Sequence, residues 1–173
     1  AGASVPSLGP FDGTVSVTGS AAAPLFKDID IQAGNAEQLR LAARGELQAS
    51  AAAAGGYEWS SAGIDLVAEG KQLGDLTAWI DRPLPAFGTF RISTRASGSL
   101  AAPALSAIDV TAGGDGMPKI VVSGSIADVR GAGGIDLKID ARATKSWRLD
   151  VKSSTRLPPF RASVRLHESE KGY

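Results

Sequence analysis

The sequence predicts a mainly β protein: an antiparallel, twisted and curled meander sheet with one apolar face, and one short helix between two copies of an internal repeat. Three observations carry that prediction. Apolar and polar residues alternate strictly over most segments, as strands with one apolar face do. The connections are short and rich in Gly, Pro, Asp and Asn, which suits hairpins, whereas parallel neighbours need long crossovers. The chain also repeats itself, and a repeat sets the architecture before any single residue does.

Strands are expected near 11–19, 26–33, 38–48, 57–69, 90–98, 105–112, 118–126, 134–142, 147–153 and 160–167. In the second segment Ile29 and Ile31 alternate with Asp28, Asp30 and Gln32. In the fifth, Phe90, Ile92, Thr94 and Ala96 alternate with Arg91, Ser93 and Arg95. Ile120 and Val122 alternate with Lys119, Val121 and Ser123, and Ile135, Leu137 and Ile139 with Asp136, Lys138 and Asp140. Trp147, Leu149 and Val151 follow the same rule, as do Phe160, Ala162, Val164 and Leu166. The exception is Leu73–Ile80, where Leu73, Leu76, Trp79 and Ile80 fall at helical spacing. A short helix is expected there; its counterpart in the second copy reads as a strand.

The repeat is read from Val5-Pro-Ser-Leu-Gly-Pro-Phe11 against Leu84-Pro-Ala-Phe-Gly-Thr-Phe90. At an offset of 79, 13 of 42 positions are identical between 6–47 and 85–126, including Pro24/Pro103 and Ile29-Asp30/Ile108-Asp109. Gly63-Ile-Asp-Leu66 then recurs as Gly134-Ile-Asp-Leu137 at an offset of 71, so the first copy carries eight extra residues, expected near Gln48–Gly56. A third copy opens at Leu157-Pro-Pro-Phe160. The division expected is 5–83, 84–156 and 157–173, in one continuous sheet. A chain that opens on Ala1 and stops soon after a third copy begins reads as a fragment of a longer array.

Composition excludes several functions. Lys and Arg together equal Asp and Glu, 18 against 18, and binding nucleic acid calls for an excess of cations. There is no Cys, hence no thiolate nucleophile or disulfide, and His167 is the single histidine, which rules out schemes needing two. Gly113–Gly116 and Gly131–Gly134 precede no helix with Lys-Ser/Thr and read as hairpin turns rather than phosphate loops. Asp28, Asp30, Asp65, Asp109 and Asp136 recur in register; a solvated face with cross-strand partners such as Arg40 and Lys138 explains them better than a calcium site. Trp59, Trp79, Trp147 and Tyr57 fit the ends of a core, or a headgroup level if lipid is present. No catalytic constellation emerges, and the chain reads as a non-enzyme without cofactor or metal.

The candidate functional feature is the apolar face: Val15, Val17, Ile29, Ile31, Leu41, Ile64, Leu66, Phe90, Ile92, Ile108, Val110, Ile120, Val122, Ile135, Leu137 and Ile139. Sixteen such side chains, at ~1.5–3 kcal/mol each when fully buried, cannot be left facing water. One short helix is too little to cover them. The sheet must fold over on itself as a sandwich or barrel, pair with another chain, or curl into a trough that meets lipid.

Three motifs bear on that choice. They are the Leu-Pro-x-(Phe/Leu)-Gly-x-Phe opening with its Gly-Ser turn, the Gly-Ile-Asp-Leu strand, and Glu69-Gly-Lys-Gln-Leu-Gly-Asp-Leu76 leading into the next Leu-Pro. Over about 5–173 this pattern resembles the AsmA-like proteins, within the wider repeating β-groove, or bridge-like lipid-transfer, proteins. The resemblance implies a long twisted β-trough in the periplasm of Gram-negative bacteria, its parent anchored in the inner membrane through parts outside this chain. It implies phospholipid acyl chains as cargo moving toward the outer membrane, neighbouring repeats as partners, and no catalytic residues. The alternative is a structural repeat module for outer-membrane assembly, with a closed β-sandwich core.

Overall fold

The computed structural model describes residues 9–35, 38–53, 55–77, 87–114, 116–148 and 156–168. Eight consecutive strands form a meander: β1 Phe11–Ser20, β2 Ala23–Gly34, β3 Leu39–Ala51, β4 Tyr57–Gly70, β5 Phe90–Ser99, β6 Pro103–Ala112, β7 Lys119–Asp128 and β8 Gly133–Ala143. Two short strands follow, β9 Trp147–Arg148 and β10 Arg156–Leu157, then β11 Phe160–His167. The main sheet has nine strands in the order β1-β2-β3-β4-β5-β6-β7-β8-β11. Each strand lies antiparallel to its neighbours, as short connections require.

One expectation is corrected, and another extends past the described residues. In the segment expected as a short helix, Leu73–Leu76 forms a 3-10 turn and Thr77 continues in helical conformation. The Leu73 amide donates to the Gly88 carbonyl at 3.1 Å, which ties the turn to the start of the next strand. Trp79 and Ile80 lie outside the described residues. The described part of the strand expected at 147–153 does not join the sheet: Trp147–Arg148 pairs with Arg156–Leu157 as a separate two-stranded ribbon. Leu149 and Val151 lie outside the described residues. With that ribbon set aside, β11 takes the place beside β8.

The repeat has a backbone counterpart. Positive-φ glycines recur 79 residues apart at Gly19/Gly98, Gly34/Gly113 and Gly45/Gly124. Asp28 and Ala107, also 79 apart, adopt φ of 51° and 50° within matching β-bulges of β2 and β6. Such bulges sharpen the local right-handed twist and bend the strand that carries the extra residue. At Gly124 the geometry demands glycine: φ is +143°, and a Cβ would stand 1.9 Å from the Asp136 carbonyl oxygen. Gly45 is placed in the same way against Gly63.

The fourth strand of each copy departs from the sequence match. Gly45 faces Ile64, but Gly124 faces Leu137, so the pairing aligns β4 with β8 at an offset of 73 rather than 71. A slip of two keeps every side chain on its own face. The extra residues of the first copy mostly lengthen the β3–β4 pair beyond its bulge, through Ala49↔Trp59 to Ala51↔Tyr57, rather than swelling a loop.

Candidate functional site: an uncovered apolar face

Strand register determines which side chains share a face. One row runs across all nine strands: Phe11, Ala33, Leu41, Ala68, Ile92, Val110, Val122, Ile139 and Val164. At ~4.8 Å between strands, this row is roughly 38 Å long. Beside it Ile31, Ala43, Leu66 and Thr94 form a second row, and Ile29, Gly45, Ile64, Ala96, Leu105, Ile126 and Ile135 a third. On the other flank Leu39, Gly70, Phe90, Ala112, Ile120 and Ala141 stand opposite one another.

Following the register through the bulges places all sixteen sequence-selected residues on this one face. Val15 falls at the β1 bulge position between Thr14 and Ser16, while Val17 pairs with Phe26. Ile108 stands opposite Gly124, and Leu137 opposite Gly124 on its other side. The sequence selection omitted Phe11, Leu105, Ile126, Val164 and Leu166, which belong to the same rows. Their alternation was visible; Val164 and Leu166 sit in a strand whose apolar side is short, and Leu105 is displaced by a bulge.

Little among the described residues covers the face. Among the described residues the buried apolar positions are Ala33, Leu39, Ala49, Phe90, Ala112 and Ala143, four of them alanine. The one compact cluster, Leu39, Phe90 and Ala112, lies at the sheet end where Leu73 and Leu76 of the 3-10 turn pack down on it. Of the sixteen, Phe90 alone is buried, and Val17 remains 59% exposed. The accessible surface is 11695 Å² for a 17.6 kDa chain. A compact monomer of that mass exposes roughly 7,900 Å². Among the described residues β1 pairs only with β2 and β11 only with β8, so the sheet is a single layer with two free edges and does not close on itself.

The curl of the first five strands produces a concavity of about 540 Å³, lined by Phe11, Ile31, Ala33, Leu41, Leu66 and Ile92 with neighbouring Ala side chains and Thr94. The alanines are Ala33, Ala42, Ala43 and Ala68, and Val67 completes the lining. At the far hairpin tip Phe26 and Trp59 meet with ring centroids 5.7 Å apart, and Tyr57 stands 6.1 Å from Trp59. Tyr57 donates its hydroxyl to the Ala21 carbonyl at 2.6 Å, so its polar end is satisfied while its ring stays with the cluster. Phe87 and Trp147 pair separately, at 5.5 Å.

The opposite face is charged, and its acids are bound by arginines. Arg44 donates to Asp30 at 3.0 Å, Arg95 to Asp65 at 2.9 and 3.1 Å, and Arg165 to Asp136 through both carboxylate oxygens at 3.1 Å. The Arg165 bonds hold the Asp136 carboxyl below its ordinary range, and Lys138 does the same for Asp140. The partners expected from sequence are corrected accordingly: Arg40 serves Glu69 and Gln32 instead, and Lys138 serves Asp140. The register decides this, because Asp65 lies opposite Arg44 and Arg95, and Glu69 opposite Arg40 and Arg91. His167 sits at the end of β11 on this face, exposed beside Asp136.

Among the described residues no three His, Cys, Asp or Glu side chains converge as a metal site would require. No helix there is long and apolar enough to cross a membrane. Compared with protein-family models, curated proteins and solved structures, the chain finds no match.

Proposed function

We propose that this chain is a non-catalytic segment of a periplasm-spanning β-groove protein that shields phospholipid acyl chains in transit between the inner and outer membranes. The observation that carries the reading is the apolar face: a row nine strands wide with almost nothing packed on it among the described residues. An acyl chain is the partner that fits such a surface. It brings apolar area without hydrogen-bonding groups, so covering the rows stabilises both sides and leaves no polar atom unsatisfied. Its headgroup stays in water beyond the mouth of the trough. A row of roughly 38 Å exceeds the ~15 Å depth of one leaflet's hydrocarbon, so a chain could slide along it from one strand to the next. The sequence resemblance to AsmA-like proteins agrees with this reading and supplies the envelope setting and the neighbouring repeats. Nothing in the site supplies energy or direction; the role is passive.

A second reading, a structural module in a repeat array for outer-membrane assembly, is favoured by the free edges of β1 and β11, each of which offers unpaired backbone groups to an adjoining strand. The two readings separate in a dye experiment. A trough binds a hydrophobic fluorophore in the native state and releases it when phospholipid is added. A scaffold whose apolar face is covered binds little dye, and that result would overturn the lipid reading.

A further inference from the structure

The charged face carries a second feature that the lipid reading does not use. In the first copy one cross-strand row reads Arg40, Glu69, Arg91, with Glu69 bound by both arginines. The pairing places Lys119, Arg142 and Arg161 at the equivalent row of the second copy. The central acid has become arginine. Like charges directly opposite one another are unfavourable in a sheet, and here two such pairs stand side by side.

These three side chains, with Lys138, Asp140 and Ser163, line a concavity of about 610 Å³. Lys138 is already engaged by Asp140 at 2.9 Å. Among the described residues none of Lys119, Arg142 and Arg161 has a carboxylate within ion-pairing distance, and all three are exposed. Three adjacent strands thus present cations from positions ~5 Å apart along the row, close enough for long side chains to converge on one anion.

We propose that this row is a binding site for a phosphate group. The first copy shows what one carboxylate does: it balances two arginines. The second copy sets four cations against one carboxylate, which calls for a denser anion. A phosphate monoester carries up to two charges and three strong acceptor oxygens, and arginine's planar fork matches it bidentately. The site stands on the face opposite the apolar rows, so it does not rest on the lipid reading.

The test is calorimetric titration of the chain with inorganic pyrophosphate, alongside the variant Arg142→Glu. That substitution recreates the alternating row of the first copy, so the fold is retained. Binding should be saturable and weaken by roughly tenfold or more in the variant, the scale of losing a charge-assisted hydrogen bond. Arg161→Gln, at the sheet edge, should weaken it in the same direction and serves if the first variant misfolds. Vesicles of phosphatidic acid and of phosphatidylcholine identify the source: stronger retention on the former assigns the site to a lipid phosphomonoester headgroup, and equal retention with pyrophosphate binding intact assigns it to a soluble phosphate ester. Absence of saturable binding, or binding unchanged by Arg142→Glu, would overturn the proposal. So would tighter binding of a polyglutamate peptide than of pyrophosphate, which would make the row a contact for an acidic protein.

Discussion

Leu66→Asp separates the two things the apolar face can do, hold the fold and hold a ligand. Leu66 lines the concavity, stands between Ala43 and Thr94 in its row, and is 36% exposed. Full burial of a leucine stabilises by ~1.5–3 kcal/mol, so covering the exposed third with an acyl chain contributes about 0.5–1 kcal/mol. An aspartate forfeits that and places an unpaired carboxylate under the chain. Partial hydration from the open mouth limits the added cost, and the total comes to about 2–4 kcal/mol. Affinity for a labelled phospholipid should therefore fall by roughly 30- to 1,000-fold. Stability should fall by only about 1 kcal/mol, because the free protein leaves the new carboxylate in contact with water. Thr111→Asp is the control: it stands opposite Arg91 on the charged face, away from the concavity, and should leave binding unchanged. The assay is displacement of a fluorescent phospholipid, with thermal melting of each variant. Full affinity in Leu66→Asp, with melting intact, would refute the argument that this face is where lipid lies.

Three further outcomes concern the frame that holds the face. Gly124→Ala should destabilise by more than about 3 kcal/mol or prevent folding, since its Cβ meets the Asp136 carbonyl at 1.9 Å; urea unfolding checks it. Ala107→Asn should stabilise by about 0.5–1 kcal/mol, because Ala107 sits at φ 50°, a region asparagine enters at lower cost; a raised melting temperature is the readout. Asp136 and Asp140 have carboxyls held low by Arg165 and Lys138, so their contribution is complete above the ordinary aspartate range and is lost as pH falls through the lower folded-state values. The urea midpoint should drop on acidification below that range, and the drop should be smaller in Arg165→Gln.

The face was legible in the sequence because side-chain alternation has a period of two and survives most irregularities. Phe90, Ile92 and Thr94 keep their side whatever the neighbouring strand does, and so do Ile120 and Val122. What alternation does not encode is registration. The bulges at Asp28 and Ala107 move a strand by one residue against its partner, and neither an aspartate nor an alanine announces a left-handed backbone. The Gly-Ile-Asp-Leu match suggested an offset of 71, while hydrogen bonding placed β8 two residues further along. Ion-pair partners depend wholly on that registration, which is why Arg44 and Arg95, rather than Arg40 and Lys138, hold the acids of the first copy. The helical spacing of Leu73 and Leu76 was legible because both pack on the cluster of Leu39, Phe90 and Ala112. The basic row through Arg142 was invisible for the same reason as the ion pairs, since Lys119, Arg142 and Arg161 are far apart in the chain and meet only across strands.

The claim that lipid lies on one face of a single-layer sheet is tested most directly by position-resolved crosslinking along β5. A photoreactive amino acid is placed in turn at Arg91, Ile92, Ser93 and Thr94, and phospholipid adducts are read by mass spectrometry. Adducts at Ile92 and Thr94, with none at Arg91 and Ser93, are the expected pattern, because alternate side chains of a strand point to opposite faces. Equal adducts at all four positions, or none at any, would contradict the account.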